Sequence, residues 1–148
     1  MNASIDAVRV AGTPDGPMPV VLLDVDDPEY VLPIFIGFDE AISIARGIDA
    51  EGIGRPLTHD LTLDIVEELG GRISRVVVSD ERDGTFIADL HLDTPREDVV
   101  VDARPSDSLA LAARTGAPIE VAEHVFEDGR RAKTDFDGLE DIREVAGL

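Results

Sequence analysis

Apolar positions recur along this chain with two different periods, and the places where the period changes divide it into elements. Ile5, Ala7 and Val8 alternate with polar partners in Ser4–Val10, which predicts a strand. After the turn cluster Gly12–Pro17, the apolar run Val20–Val25 predicts a central strand. The turn Asp26–Glu29 joins it as a hairpin to a third strand, Tyr30–Ile36, in which Pro33 points to an edge position or a bulge. Gly37 ends that strand. From Phe38 to about Ile48 the spacing of Ile42, Ala45 and Ile48 is helical, with Asp39 and Glu40 in the first turn. A Gly-rich connection, Asp49–Pro56, leads to a second helix that Thr58 is placed to cap. His59 and Asp60 fall in its first turn, Leu61, Ile65, Val66 and Leu69 form its apolar stripe, and Gly70-Gly71 closes it. Arg72–Val78 and Thr85–Leu92 then flank the polar turn Ser79–Gly84, and Asp98–Val101 extends the hairpin to a meander of three strands.

The segment Val101–Ala122 hands a strand over to a helix and the helix back to a strand. Val99, Val100 and Val101 are β-branched, and Pro105 stops the strand from continuing. Ser106 is read as the N-cap, with Asp107 and Ser108 in a first turn where negative charge suits the helix dipole. Leu109, Leu111, Ala112 and Ala113 favour helix, Arg114 suits its C-terminal end, and Gly116 with Pro118 stops it before the strand Ile119–Val121. Beyond it, Ala122–Glu127 predicts a short helical turn, Asp128–Lys133 a polar segment, and Asp137–Val145 a terminal helix capped by Asp137. Strands in runs with helices unevenly interspersed predict an α+β single domain: a mostly antiparallel, mixed sheet of about seven strands packed with three helices. Residues 1–126 form that domain in this reading, and residues 127–148 form an acidic C-terminal tail with a short helix.

Charge narrows the function classes. The chain of 148 residues carries a formal net charge of −19, and Lys133 is its single lysine. An acidic, lysine-poor surface spread along the whole chain is what a halophilic cytoplasm calls for, and it would repel a polyphosphate in dilute buffer. At about 1 M salt the Debye length is near 3 Å, so remote carboxylates matter little and the local site decides. No basic stripe or aromatic stacking platform supports nucleic-acid binding. The absence of cysteine excludes disulfides and thiolate metal sites and fits a cytoplasmic location. The N-terminus lacks the basic start and apolar core of a signal peptide, and no apolar run is long enough to span a bilayer, so no membrane partner is expected.

Polar side chains gather at two helix starts, Thr58-His59-Asp60 and Asp102-Ala-Arg104-Pro-Ser106-Asp107. Strand-to-helix junctions of this kind bind anions through free backbone N–H groups and the helix dipole. Arg104 can clamp a phosphate oxygen, Arg55 can add a second positive charge, and Ser106 is a candidate substrate contact or nucleophile. Asp102 and Asp107 present the oxygen ligands that Mg²⁺ or Mn²⁺ prefers. His59 has the ordinary pKa of a general base, with Asp60 placed to orient it or to join a metal shell. Each residue has a plainer reading as well: Ser106 as a cap, Asp107 as a dipole partner, Arg104 as an ion-pair partner of Asp102 or Asp107, and Arg55 as a solvated loop residue. Glu40 compensates a helix dipole or points into the same cleft. No P-loop, GxGxxG or GxSxG motif occurs.

The stretch DARPSDSLALAARTGAPIEVAE resembles the signature of the bifunctional nuclease family, long catalogued as a domain of unknown function. Two further stretches agree in order and spacing: VLPIFIGFDEAISIA at Val31–Ala45 and RPLTHDLTLDIVEELGGRISRVVVSDERDGTFIADLHL at Arg55–Leu92. The resemblance covers about residues 1–126, and plant members of the family are described as nucleases acting on DNA and RNA. It implies a nuclease that hydrolyses phosphodiester bonds with a divalent metal. The alternative is a non-catalytic, oligomeric regulatory module that binds an anion or a partner at the same helix starts. A third reading has the motifs stabilise a subunit interface, with the Val31–Phe38 segment pairing between copies. Geometry separates the first two. A catalytic site has a cleft beside His59 or a carboxylate, whereas a structural cluster has Arg104 saturated by Asp102, Asp107 and carbonyls with no cleft next to it.

Overall fold

Strand pairing is strongest where two hairpins were expected, and a computed structural model describing residues 1–50 and 55–148 shows both. β1 (Asn2–Thr13) and β2 (Gly16–Asp24) pair antiparallel, and β3 (Tyr30–Phe35) adds to β2 with Pro33 opposite Leu22. β4 (Arg72–Arg82), β5 (Thr85–Asp93) and β6 (Asp98–Ala103) form the meander. Its first turn is tighter than the polar stretch Ser79–Gly84 suggests. Asp80, Glu81 and Arg82 go on pairing, and only Asp83 and Gly84 turn, with φ of 52° and 81°. Left-handed values at both positions match the twist of the flanking strands.

α1 (Phe38–Asp49) and α2 (Thr58–Glu68) separate the two hairpin systems, and α3 (Pro105–Thr115) crosses from β6 to β7 (Ile119–Val121). β7 lies parallel to β4 and antiparallel to β1, which makes one open mixed sheet in the order β6-β5-β4-β7-β1-β2-β3, with the short strand Arg131–Ala132 outside β3. The connection expected at Asp49–Pro56 includes residues 51–54, which lie outside the described residues. The α+β class holds, but the described residues form nine strands and five helices. Beyond the seven strands and three main helices lie short C-terminal elements: α4 (Glu123–Gly129) and α5 (Ile142–Ala146), where a helical turn and a terminal helix are expected, and two strands that had no signal, β8 (Arg131–Ala132) and β9 (Glu140–Asp141).

Residues 127–148 therefore do not form a separate tail. β8 pairs with β3, β9 pairs with β1, and Ile142 is fully buried in the main core. Phe136 joins Val20, Leu22 and Val31 in a second small cluster. Isolated apolar residues between acidic ones gave this packing no periodic signal. Asp137 does not cap the last helix. Asp141 does, accepting from the Arg143 N–H at 2.9 Å. Arg143 then grips Asp49 at the end of α1 with two hydrogen bonds of 2.7 and 2.8 Å.

The main core lies between the sheet and α1, α3, α4 and α5, with Val21, Leu23, Val76, Ile44 and Leu109 at its centre. α2 contributes little to it. Its expected stripe is exposed, with Leu61 at 50%, Ile65 at 52% and Leu69 at 74%, while Leu63 and Val66 are only half-buried. Spacing alone could not tell which face turns inward, because apolar residues occupy both sides of this helix. Among the described residues no helix is long and apolar enough to cross a membrane.

Ile142 tests the place of the C-terminal segment in the fold. Replacing Ile142 by Ala is expected to cost about 2–5 kcal/mol in urea unfolding, as for a buried core side chain. A change below about 0.5 kcal/mol, typical of surface positions, would mean that the segment does not pack on the core.

Candidate functional site

Three helices bring their polar residues to one place, and small residues allow it. α1 starts at Gly37, and a side chain there would collide with the Glu40 carboxylate, which folds back over it. Farther along α1, a Cβ on Gly47 would meet Ala113 and Arg114 at 3.0 Å, so α1 and α3 approach closely at that point. α3 begins two residues earlier than Ser106 would have it as a cap. Pro105 occupies the first helical position, where its fixed φ is an advantage and its missing N–H costs nothing. Arg104 thereby becomes the flanking residue, and its side chain turns along the helix to Asp107. α2 also begins a residue earlier than expected. Leu57 flanks it, and Asp60 accepts from the Leu57 N–H at 3.0 Å, so Thr58 does not cap it.

Arg114 ties these helices together. Its side chain is only 9% exposed, and it donates to Ser43 O on α1 (3.0 Å), Asp60 Oδ1 on α2 (2.7 Å) and Ala110 O on α3 (2.9 Å). It also donates to Ser43 Oγ at 3.2 Å. A buried guanidinium is tolerated when its donors are used in this way. The Arg114 hydrogen bond holds the Asp60 carboxyl below its ordinary value.

His59 lies beside this tie, 14% exposed, between α1 and α3. Ser43 Oγ is 2.6 Å from Nδ1, and Asp107 Oδ1 is 2.9 Å from Nε2. Asp107 in turn receives two hydrogen bonds from Arg104, at 2.9 and 3.2 Å, and Arg104 reaches Glu40 at 3.4 Å. Burial pushes the Asp107 carboxyl up, but hydrogen bonds from Arg104 and His59 outweigh it and leave the carboxyl below its ordinary value. The same partner raises Arg104. Since an ionised carboxylate only accepts, Nε2 of His59 carries a proton, and in the neutral ring Nδ1 accepts from the Ser43 hydroxyl.

A cleft of about 570 Å³ opens over these groups. Asp39, Glu40, Ser43, Arg46, His59, Arg104 and Asp107 supply its polar lining, and Ile42, Leu57 and Thr58 complete it. Glu40 and Arg104 also border a second cavity of about 290 Å³, where Ser106 lies. Of the residues singled out from the sequence, Glu40, His59, Arg104 and Asp107 meet at the cleft. Asp60 is close but serves Arg114 instead of orienting His59. Ser106 is buried and caps nothing. Arg55 is exposed and does not line the cleft.

Asp102 is the clearest departure. It pairs with Asp89 in β6, on the sheet face opposite the one shared by Val101 and Ala103, and so does not join Asp107. Among the described residues no group of three or more His, Cys, Asp or Glu side chains could hold a metal ion. The sequence reading missed Ser43, Arg46 and Arg114. Ser43 offered only a faint signal, a hydroxyl inside the buried run Ala41–Ala45, and Arg114 looked like an ordinary C-terminal helix cation.

Arg114→Met removes the tie and leaves Asp60 without its partner, and is expected to cost about 3 kcal/mol in chemical denaturation. A loss under 0.5 kcal/mol would contradict the role given to it. Acid unfolding tests the carboxylates. Asp60 and Asp107 are lowered in the folded protein from an ordinary value of 3.8, so the unfolded chain takes up protons first. Their contribution is complete above that value and is lost as pH falls through the lower folded values. Asp60→Asn should make the fall in stability below about pH 4 shallower, and an unchanged slope would show that Asp60 does not contribute it.

A sequence model of the Bifunctional nuclease domain matches residues 20–133. An uncharacterized protein of Mycobacterium tuberculosis is 45% identical over 110 residues, which are 73% of this chain and 64% of that protein. Rice Bifunctional nuclease 2 is 26% identical over 121 residues, 78% of this chain and 37% of the plant protein. Arabidopsis thaliana Bifunctional nuclease 1 is 27% identical over 120 residues, again 78% of this chain and 37% of the relative. The chain thus spans less than two thirds of the length of each. With the match extending over well more than half of its residues, the chain belongs to the bifunctional nuclease domain family.

Proposed function

We propose that the cleft binds a backbone phosphate of DNA or RNA and that the protein hydrolyses the phosphodiester bond. The observation that carries this reading is the His59–Asp107 hydrogen bond, set in an open cleft beside the Arg104 guanidinium. A histidine held by a carboxylate can take up a proton and be stabilised as the cation that forms. Arg104 is 64% exposed at its side chain, so its N–H groups beyond those held by Asp107 and Glu40 are open to a phosphate oxygen. Arg46 lines the same cleft, and its Nε has no partner among the described residues. The family assignment and the names of the plant relatives favour the same chemistry.

Mg²⁺ or Mn²⁺ fits less well. Asp102 is turned away, and Asp107 spends its oxygens on Arg104 and His59, so no step is assigned here to a metal held by this chain. The anion-binding module without turnover remains the competing reading. Arg104 is partly saturated, as that reading expects, but by Asp107 and Glu40 and with a cleft beside it.

The test is cleavage of single-stranded RNA and double-stranded DNA in high potassium salt, with Mg²⁺, Mn²⁺ or chelator. Cleavage above a mock purification is expected, falling about 100-fold or more in folded His59→Ala, the typical size of a lost acid–base group. Arg104→Ala should fall as well, mainly through weaker substrate binding. Absence of cleavage under every metal condition would leave the anion-binding reading in its place.

A further inference from the structure

The cleft holds a hydroxyl that phosphate binding and proton transfer by His59 do not by themselves use. Ser43 lies on α1, is 7% exposed, and lines the cleft. We propose that Ser43 is the nucleophile of this site, with His59 as its base and Asp107 as the carboxylate that orients the base. The proposal rests on the phosphodiester reading above for its substrate, but not for its chemistry at Ser43.

Both ring nitrogens of His59 are already engaged, Nδ1 by Ser43 Oγ at 2.6 Å and Nε2 by Asp107 at 2.9 Å. Water cannot reach either nitrogen without displacing one of these partners. The proton within reach of the base is that of the Ser43 hydroxyl. The three residues come from α1, α2 and α3, so the arrangement is not the incidental contact of neighbours on one helix. A nucleophile, a base within hydrogen-bond reach and a third group that orients the base are what covalent catalysis requires. Arg114 adds a fourth group. Its Nη2 donates to Ser43 Oγ at 3.2 Å, which places positive charge where an alkoxide would develop.

The reaction balances as a double displacement. Ser43 Oγ bonds to phosphorus while its proton passes to His59 Nδ1. The bond from phosphorus to the leaving sugar oxygen breaks on the side opposite Ser43, because attacking and leaving oxygens lie in line, and that oxygen takes its proton from solvent. Water then attacks the phosphorus held on Ser43 from the vacated side and releases a proton to solvent. The Oγ–P bond breaks and His59 returns the proton to Ser43 Oγ. One water is consumed, and the products are one free hydroxyl end and one phosphomonoester end. Arg104 and Arg46 are the cations placed at the cleft to hold the non-bridging oxygens.

A fluorophosphonate tests the nucleophile without reference to any nucleic acid. Ser43 Oγ would displace fluoride from phosphorus, and its proton would leave through His59. The full chain is treated in high potassium chloride and examined by intact mass and peptide mapping. A single adduct on Ser43 is expected, formed about 100-fold more slowly in His59→Gln and absent in Ser43→Ala. Cleavage of nucleic acid should fall in proportion to labelling. An unmodified Ser43 after exhaustive treatment overturns the proposal, as does labelling at a rate that His59→Gln leaves unchanged. His59-dependent labelling in a protein that cleaves neither RNA nor DNA would uphold Ser43 and discard the nuclease reading. Cleavage without labelling would do the reverse.

Discussion

Arg114 carries a permanent charge in a place where water barely reaches it, and the surrounding helices are arranged around that fact. Such a group is costly to bury unless its N–H donors are met. Here they are met by a carbonyl and a hydroxyl on α1, a carboxylate on α2 and a carbonyl on α3. The consequence is geometric. Gly47 lets α1 and α3 close together, and Asp60 fastens the first turn of α2 beside them. α2 has no fully buried residue, so its position depends more on these polar ties than on packing. His59 is the residue next to Asp60, and it comes to rest between Ser43 and Asp107 because of where Asp60 is held.

The site is thus a product of polar positioning on a sheet-backed platform. α1 and α3 are anchored by the main core, and α2 is laid over them with its apolar stripe outward. The cleft lies where the N-terminal halves of the helices meet, which offers an anion both dipole and side-chain charge. Within it the charges are paired in sequence, with Glu40 to Arg104, Arg104 to Asp107 and Asp107 to His59. The net charge of −19 places this arrangement under a general repulsion of polyanions. At high salt that repulsion is short-ranged, and the local arginines set the balance.

Much of the fold was legible because its signals are local. The hairpins, the meander, the break at Gly37 and the stop at Gly116 follow from periodicity and turn chemistry. What failed depended on tertiary choices. Leu61, Ile65 and Leu69 repeat with a perfect helical period, yet they face outward, because Asp60 and His59 fix the rotation of α2. Ile142 and Phe136 lie in an acidic stretch that has no period, yet they are buried. In the site, His59, Arg104 and Asp107 could be found as polar residues at helix starts. Asp102 could not be separated from them by spacing, since one step along a strand moves a side chain to the other face. Ser43 and Arg114 look like ordinary helix residues, and their roles exist only once three helices have met.

The most direct test of this account is the tautomer of His59, read from long-range ¹⁵N–¹H correlations of its neutral imidazole. A proton on Nε2, donated to Asp107, and a bare Nδ1 that accepts from Ser43 are expected. A neutral ring carrying its proton on Nδ1 would contradict it, because Ser43 could then no longer give its proton to His59 and the helices would not hold the ring as described.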